Sequence, residues 1–404
     1  KHTPMFTTNF RIFTIGCLLI GSIIALAAPS PPTVSPLCAS GGRWITFSGG
    51  KARLDTGPEI IKNAARQDVV LLGEQHDLED HHRWQLQMLA ALHAQRPTMV
   101  IGFEMFPRRL QPVLDQWVAG TLSPRDFLAQ ADWNTVWSFP PQIYMPLFEF
   151  ARINKIPMLA LSIDKKLTRQ VAENGWNSVP AAEREGVGQP AAPLPAYKDF
   201  LREIYNTHAA MRSKHPAKGK AEPEESFNGF VDSQLAWDRA MAEGLAKAMT
   251  RKERPLVVGI MGSGHIRFGH GVPHQLRDLG VSNIATLLPV ELKGECESLR
   301  TGLANAVFTL PEKPELAQEP PRLGVVLEDA PSGLSISTVT PGSLAEKTGL
   351  RSGDRLVELA GRPATSSAEA VSAVRRQPPG TWLPLRIKRG DSDLDLIVKF
   401  PAQP

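Results

Sequence analysis

The sequence predicts an α/β protein with a largely parallel sheet, flanking helices and a helical insertion, followed by a small β-rich C-terminal domain. Three observations carry that expectation. Short, continuous apolar runs recur up to about residue 290, helix-like stretches separate them, and a proline-rich segment at 311–321 sets residues 322–404 apart. A continuous β-branched run, as opposed to an alternating one, is the pattern of a strand covered on both faces. Alternation of such strands with helices is the pattern of a parallel sheet.

In chain order the strand candidates are Asp68–Leu72, Thr98–Phe103, Pro157–Ile163, Pro255–Met261 and Asn283–Leu288. Helices are expected over Glu79–Ala94, with Asp77 as N-cap, over Tyr144–Asn154 and over Phe230–Met249. Two stretches break the rhythm as loops, Asn177–Pro195 and Ser213–Ser226. Between them Tyr197–Met211 reads as helix. With Phe227–Met249 it makes an insertion placed to form a lid or pocket wall.

The ends and the composition narrow the class. With 404 residues, 42% hydrophobic, 21% charged and a formal net charge of +4, the chain is an ordinary globular protein of two or three domains. No Lys/Arg stripe with interleaved aromatics is present, so no nucleic-acid partner is expected. The apolar run Ile15–Ala28 follows Arg11 and stops at Pro29-Ser30-Pro31-Pro32. It is too short for a bilayer core of about 30 Å at about 1.5 Å per residue. It has the length of a signal-peptide core, and Ala25-Leu26-Ala27 supplies a cleavage site. Residues 1–28 are therefore expected to be a signal peptide and 29–40 a mature tail, on a periplasmic or envelope-associated protein. In that compartment Cys38 and Cys296 either form one disulfide or remain two thiols.

Ligands of parallel sheets bind beyond the carboxyl ends of the strands. Gly73-Glu74-Gln75-His76-Asp77 follows the first run, Glu104 the second, Ser162 and Asp164 the third, and Gly262-Ser263-Gly264-His265 the fourth. Glu74, His76, Glu104 and His265 thus converge on one rim. Imidazole and carboxylate suit a divalent metal, or general acid/base work without one; a buried polar network bracing the turns is the plainer alternative. His81, His82 and His93 read as solvated or cap-adjacent. Trp133, Trp137, Trp176, Phe106 and Phe139 are candidates for an apolar wall or for core. Tyr197 and Tyr205, with His208 on the same helical face, and His270 in the turn after His265, are candidate ligands for a ferric haem, with amphipathic tyrosines half-buried on a helix as the plainer alternative.

These residues carry a resemblance. Leu72–Asp77 with Asp80-His81-His82, Phe103-Glu104-Met105-Phe106, Phe150-Ala151-Arg152, Gln234–Ala242, Gly262–Ile266 and Gly269–Pro273 resemble the ChaN-like haem-binding uptake family of the Tiki superfamily over roughly residues 40–295, which implies a domain over 41–310. The resemblance implies an exported Gram-negative envelope protein that binds haem through tyrosine for iron uptake. In at least one relative the haems form a cofacial pair within a dimer, so a homodimer is among the expected partners. The wider superfamily includes metal-dependent proteases and erythromycin-esterase-like hydrolases. A metal-dependent hydrolase centred on Glu74, His76, Glu104 and His265 is therefore the alternative to a non-enzymatic haem binder.

Residues 322–404 resemble a bacterial PDZ domain. Arg322-Leu323-Gly324-Val325 stands at the carboxylate-binding loop, and Ser343–Val357 matches the helix–turn–strand centre. Ala368–Arg376 would be the groove helix, with Leu383–Arg389 and Asp395–Phe400 as closing strands. The resemblance implies that Leu323, Gly324 and Val325 hold the end of a peptide or protein partner added as a strand.

Overall fold

A computed structural model describes residues 38, 40–137, 139–212, 223–292, 296, 299–312, 321–330 and 333–402, with the side chains of 208–212, 223–225 and 330 excepted. The expected signal peptide, most of the 29–40 tail and most of the 311–321 linker lie outside the described residues. The chain divides after Glu312 into two compact units.

The first unit is built on an eight-stranded sheet: β1 (Arg43–Ser48), β2 (Lys51–Asp55), β3 (Val69–Glu74), β4 (Met99–Pro107), β5 (Met158–Ser162), β6 (Leu256–Gly262), β7 (Ile284–Val290) and β8 (Ala306–Thr309), in the order β2-β1-β8-β7-β3-β6-β4-β5. From β8 to β5 every pairing is parallel. All five apolar runs became strands, and β3, β4 and β6 are buried along their whole length. The sequence reading missed β1, β2 and β8. All three are short; β1 and β2 are mixed in polarity and form an antiparallel hairpin at the sheet edge, where continuous apolar patterning is not required, and β8 is only four residues long.

Side chains alternate across the sheet with the two-residue period of a strand. Leu72, Phe103 and Ile260 enter the core on one face, which we call the aromatic face. Leu71, Val100 and Met261 enter the core on the opposite face. Helices at Glu79–Gln95 and Pro141–Ile153 cover the aromatic face, and the Pro223–Met249 helix packs across β5 and β6 on the other. That long helix is therefore a layer of the core rather than only an inserted wall. Asp77 is not the cap of the Glu79–Gln95 helix: Leu78 precedes it, with no side-chain hydrogen bond. Cys38 and Cys296 are joined by a disulfide and packed against Ile45.

The second unit holds β9 (Val325–Ala330), β10 (Gly333–Val339), β11 (Arg355–Leu359), β12 (Arg362–Pro363), β13 (Trp382–Arg389) and β14 (Ser392–Lys399), with helices at Leu344–Thr348 and Ser367–Arg375. The sheet runs β14-β13-β11-β10-β9, so β9 is an edge strand. Leu334, Ile336, Leu350 and Ile387 fill its core.

Candidate functional site

The parallel register explains how distant residues meet. β6 lies between β3 and β4, with Glu74 level with Gly262 and Phe103 level with Ile260. Strand alternation then sends Glu74 to the aromatic face and Glu104 to the opposite face. Each carboxylate anchors its own string of polar groups, and the two strings approach one another at Gly262.

On the aromatic face Glu74 is 2% exposed. Its Oε1 lies 2.8 Å from His76 Nδ1 and accepts the Tyr144 hydroxyl at 2.9 Å. His82 Nδ1 lies 3.3 Å from Glu74 Oε2 and 3.2 Å from Gln85 Oε1, and His82 Nε2 is 3.2 Å from the His76 carbonyl. Gln85 donates from Nε2 to the carbonyls of Leu72 and Gly73, which turns its oxygen toward His82. Both His82 nitrogens therefore face acceptors, the arrangement of an imidazolium. Burial alone would push Glu74 up, but hydrogen bonding by His76 and His82 and their charge hold it well below the carboxylate range. Against the opposing effect of burial, Glu74 raises both His76 and His82.

On the other face His265 Nδ1 lies 2.6 Å from Asp238 Oδ1, and its Nε2 lies 3.4 Å from Glu104 Oε1. Asp238 Oδ2 accepts the Tyr197 hydroxyl at 2.7 Å, and the Gly262 amide donates to Glu104 Oε2 at 2.6 Å. Burial disfavours charge on His265, but Glu104 and then Asp238 outweigh it, and its pKa is pushed up to about 10. Glu104 is held low by His265 in spite of burial.

The four predicted residues thus come together, but as charge pairs. His265, with both nitrogens facing carboxylates, is held as an imidazolium and has no free lone pair while it carries both protons. Among the described residues, no group of three or more His, Cys, Asp or Glu is arranged to hold a metal ion. His76 differs from His265. Its Nδ1 is committed to Glu74, whereas Nε2 has no hydrogen-bond partner among the described residues, and the side chain is 30% exposed.

His76 and Glu104 line a cavity of about 930 Å³ beyond the strand ends, walled by Trp137, Phe139 and Trp237. The His76 ring meets Trp137 edge-on at 4.7 Å and Phe139 at 5.4 Å. Ser162, Asp164 and the exposed Lys165 and Lys166 also line it. Its size lies within the range of small-molecule and cofactor pockets. Of the aromatic candidates, Trp137 and Phe139 are wall; Trp133, Phe106 and Trp176 are core.

The tyrosine candidates occupy different environments. Tyr197 is 1% exposed with its hydroxyl given to Asp238, and burial with the Asp238 charge pushes its pKa well up, away from a phenolate. Tyr205 is half-buried against Phe227 and Phe230. His270 is half-buried near Tyr197 and Phe268, and burial lowers its pKa. The His208 side chain lies outside the described residues. His81 and His82 are buried, correcting the solvated expectation, because both lie on the helix face turned to the sheet; His93 is half-buried against Phe150. Sequence reasoning missed the roles of Asp238, Tyr144 and His82, all borne by helices.

Residues 60–276 match the family model described as haem-binding uptake, Tiki superfamily, ChaN, and residues 321–400 match the PDZ model. The solved structure of cofacial heme binding to ChaN of Campylobacter jejuni is similar over 67% of this chain and 98% of its own, at 17% identity and a TM-score of 0.51, a likeness of fold. The HtrA3 PDZ domain bound to a phage-derived ligand (FGRWV) is 28% identical, covering 19% of this chain and 82% of its own, with a TM-score of 0.18. A curated relative, serine protease HTRA1 of Xenopus tropicalis, is 37% identical over 67 residues, 17% of this chain and 14% of the relative. The match thus spans a small part of that protease's length.

Proposed function

This chain belongs to the haem-binding uptake (ChaN) family of the Tiki superfamily and carries a C-terminal PDZ domain, and from that premise we propose that it binds haem in the cavity floored by His76. The observation that carries the reading is an imidazole in an aromatic-walled cavity, with one nitrogen held by a buried carboxylate and the other without a hydrogen-bond partner among the described residues. A carboxylate behind a histidine fixes its tautomer and raises its basicity as a ligand. Haem is flat, apolar over both faces and edged with carboxylates. Trp137, Phe139 and Trp237 suit the faces and Lys165 and Lys166 the carboxylates. Bound haem would supply an iron seeking an axial donor, and on this reading His76 would give one.

The PDZ domain engages a peptide or protein terminus, and the whole acts as an envelope haem carrier or adaptor. The signal-peptide-like run and the Cys38–Cys296 disulfide support export to an oxidising compartment. Titration of the purified protein with hemin should give a Soret band. His76→Ala should lower the affinity at least about ten-fold, while Tyr205→Phe should behave as the parent. A His76→Ala protein that binds like the parent would reject this seat.

A second reading rests on Glu104, whose Oε1 is buried without a hydrogen bond beside the same cavity. A carboxylate backed by Asp238–His265 suits acid/base work in a metal-assisted hydrolase. Peptide cleavage stimulated by added zinc or manganese, and abolished in Glu104→Gln with hemin binding retained, would favour it.

A further inference from the structure

The groove of the second unit is lined by the start of β9 and the Ser367–Arg375 helix and has a volume of about 620 Å³. Val325 and Leu327 face the core, whereas Val326 is 54% exposed, so residues 325, 327 and 329 share the groove side of the strand. Asp329 confirms this parity, because its carboxylate accepts both the backbone N–H and the hydroxyl of Ser367 at the start of the groove helix. The opposite end is cationic. Arg322 and Arg375 line the groove beside the Leu323–Val325 turn, where Gly324 takes a φ of +81°. A Cβ at Gly324 would lie 2.3 Å from Ser343 Cβ, so the turn requires glycine.

We propose that this groove selects chain termini with an apolar last residue and a lysine or arginine four places before it, the cation being read by Asp329. The proposal rests on the peptide-terminus reading above. A free carboxylate at the cationic turn places the peptide end beside Val325 and orients the added strand antiparallel to β9. Residues then pair one to one, so the residue four places upstream stands opposite Asp329, about 13 Å away at ~3.3 Å per residue. The even spacing also puts that side chain on the same face as Asp329. Each Asp329 oxygen retains a lone pair after serving Ser367. The groove is thus electrically polar along its length, and the occupant is the tail of another protein with the opposite polarity.

The test measures fluorescence anisotropy of the full chain with labelled hexapeptides ending in valine and carrying lysine, alanine or glutamate at the fourth place before it. The lysine peptide should bind about two- to five-fold tighter than the alanine peptide, as for an exposed ion pair, and the advantage should shrink in high salt. Asp329→Asn keeps an acceptor for Ser367 and should erase the advantage. Asp329→Lys should invert it toward the glutamate peptide, which a purely capping role would not do. Equal binding of the three peptides by the parent, or an advantage unchanged in Asp329→Asn, overturns the proposal. Failure of every free-carboxyl peptide, with amidated controls behaving alike, overturns the terminus reading instead.

Discussion

His265 sits between Asp238 and Glu104 within one buried string, and its protonation is coupled to folding. Its folded pKa of about 10 exceeds the ordinary value of 6.5. A group raised in this way contributes stability fully present below about pH 6.5 and lost as pH rises through about 10. The melting temperature of the parent should therefore fall between pH 7 and 10. His265→Gln should cost about 3–5 kcal/mol near pH 7, since two buried carboxylates lose their partner, and should flatten the alkaline fall. Equal alkaline slopes in parent and variant would show that His265 is not the charged group. Glu74, His76, Glu104 and His265 were legible in the sequence because each follows an apolar run. Asp238 was not, since a polar residue inside a long helix looks like any solvated position. The burial of His82 was hidden for the same reason: helix Glu79–Gln95 has little amphipathic contrast, with charged and apolar residues mixed around it.

Among the elements, the end of β6 decides whether the two strings can meet. A Cβ on Gly262 would lie 2.9 Å from His76 Cε1 and 3.6 Å from Glu104 Oε2. The His76 ring is fixed by Glu74 and Trp137 and has little room to retreat. Gly262→Ala should destabilise the first unit by about 1–3 kcal/mol and weaken hemin binding, read by chemical denaturation and Soret titration. A variant as stable and as competent as the parent would mean that the close approach is not required. The five buried strands were readable because parallel strands covered on both faces must be apolar throughout. β1, β2 and β8 were not: β1 and β2 form a short hairpin at the sheet edge, and the four-residue β8 is placed by partners far along the chain, as in Arg43 with Thr309.

Across the whole molecule, the disulfide ties the segment before β1 to the segment after β7, residues 258 positions apart. Replacing Cys38 and Cys296 by serine should cost about 2–5 kcal/mol, and reduction should lower the parent's denaturation midpoint to that of the double variant. Unchanged midpoints would show the link to be without weight. The division into an α/β unit and a PDZ unit was legible from the prolines of 311–321, whereas the hydrogen bonding of the tyrosine candidates was not. Tyr197 read as a candidate ligand on a helical face, and only the packing of Pro223–Met249 shows its hydroxyl donated to Asp238. The axial ligand is therefore the measurement that matters most. Resonance Raman spectra of the ferric hemin complex should show imidazole ligation that disappears in His76→Ala, with no tyrosinate bands. Tyrosinate bands that persist in His76→Ala would contradict the assignment of the cavity and its histidine as the haem seat.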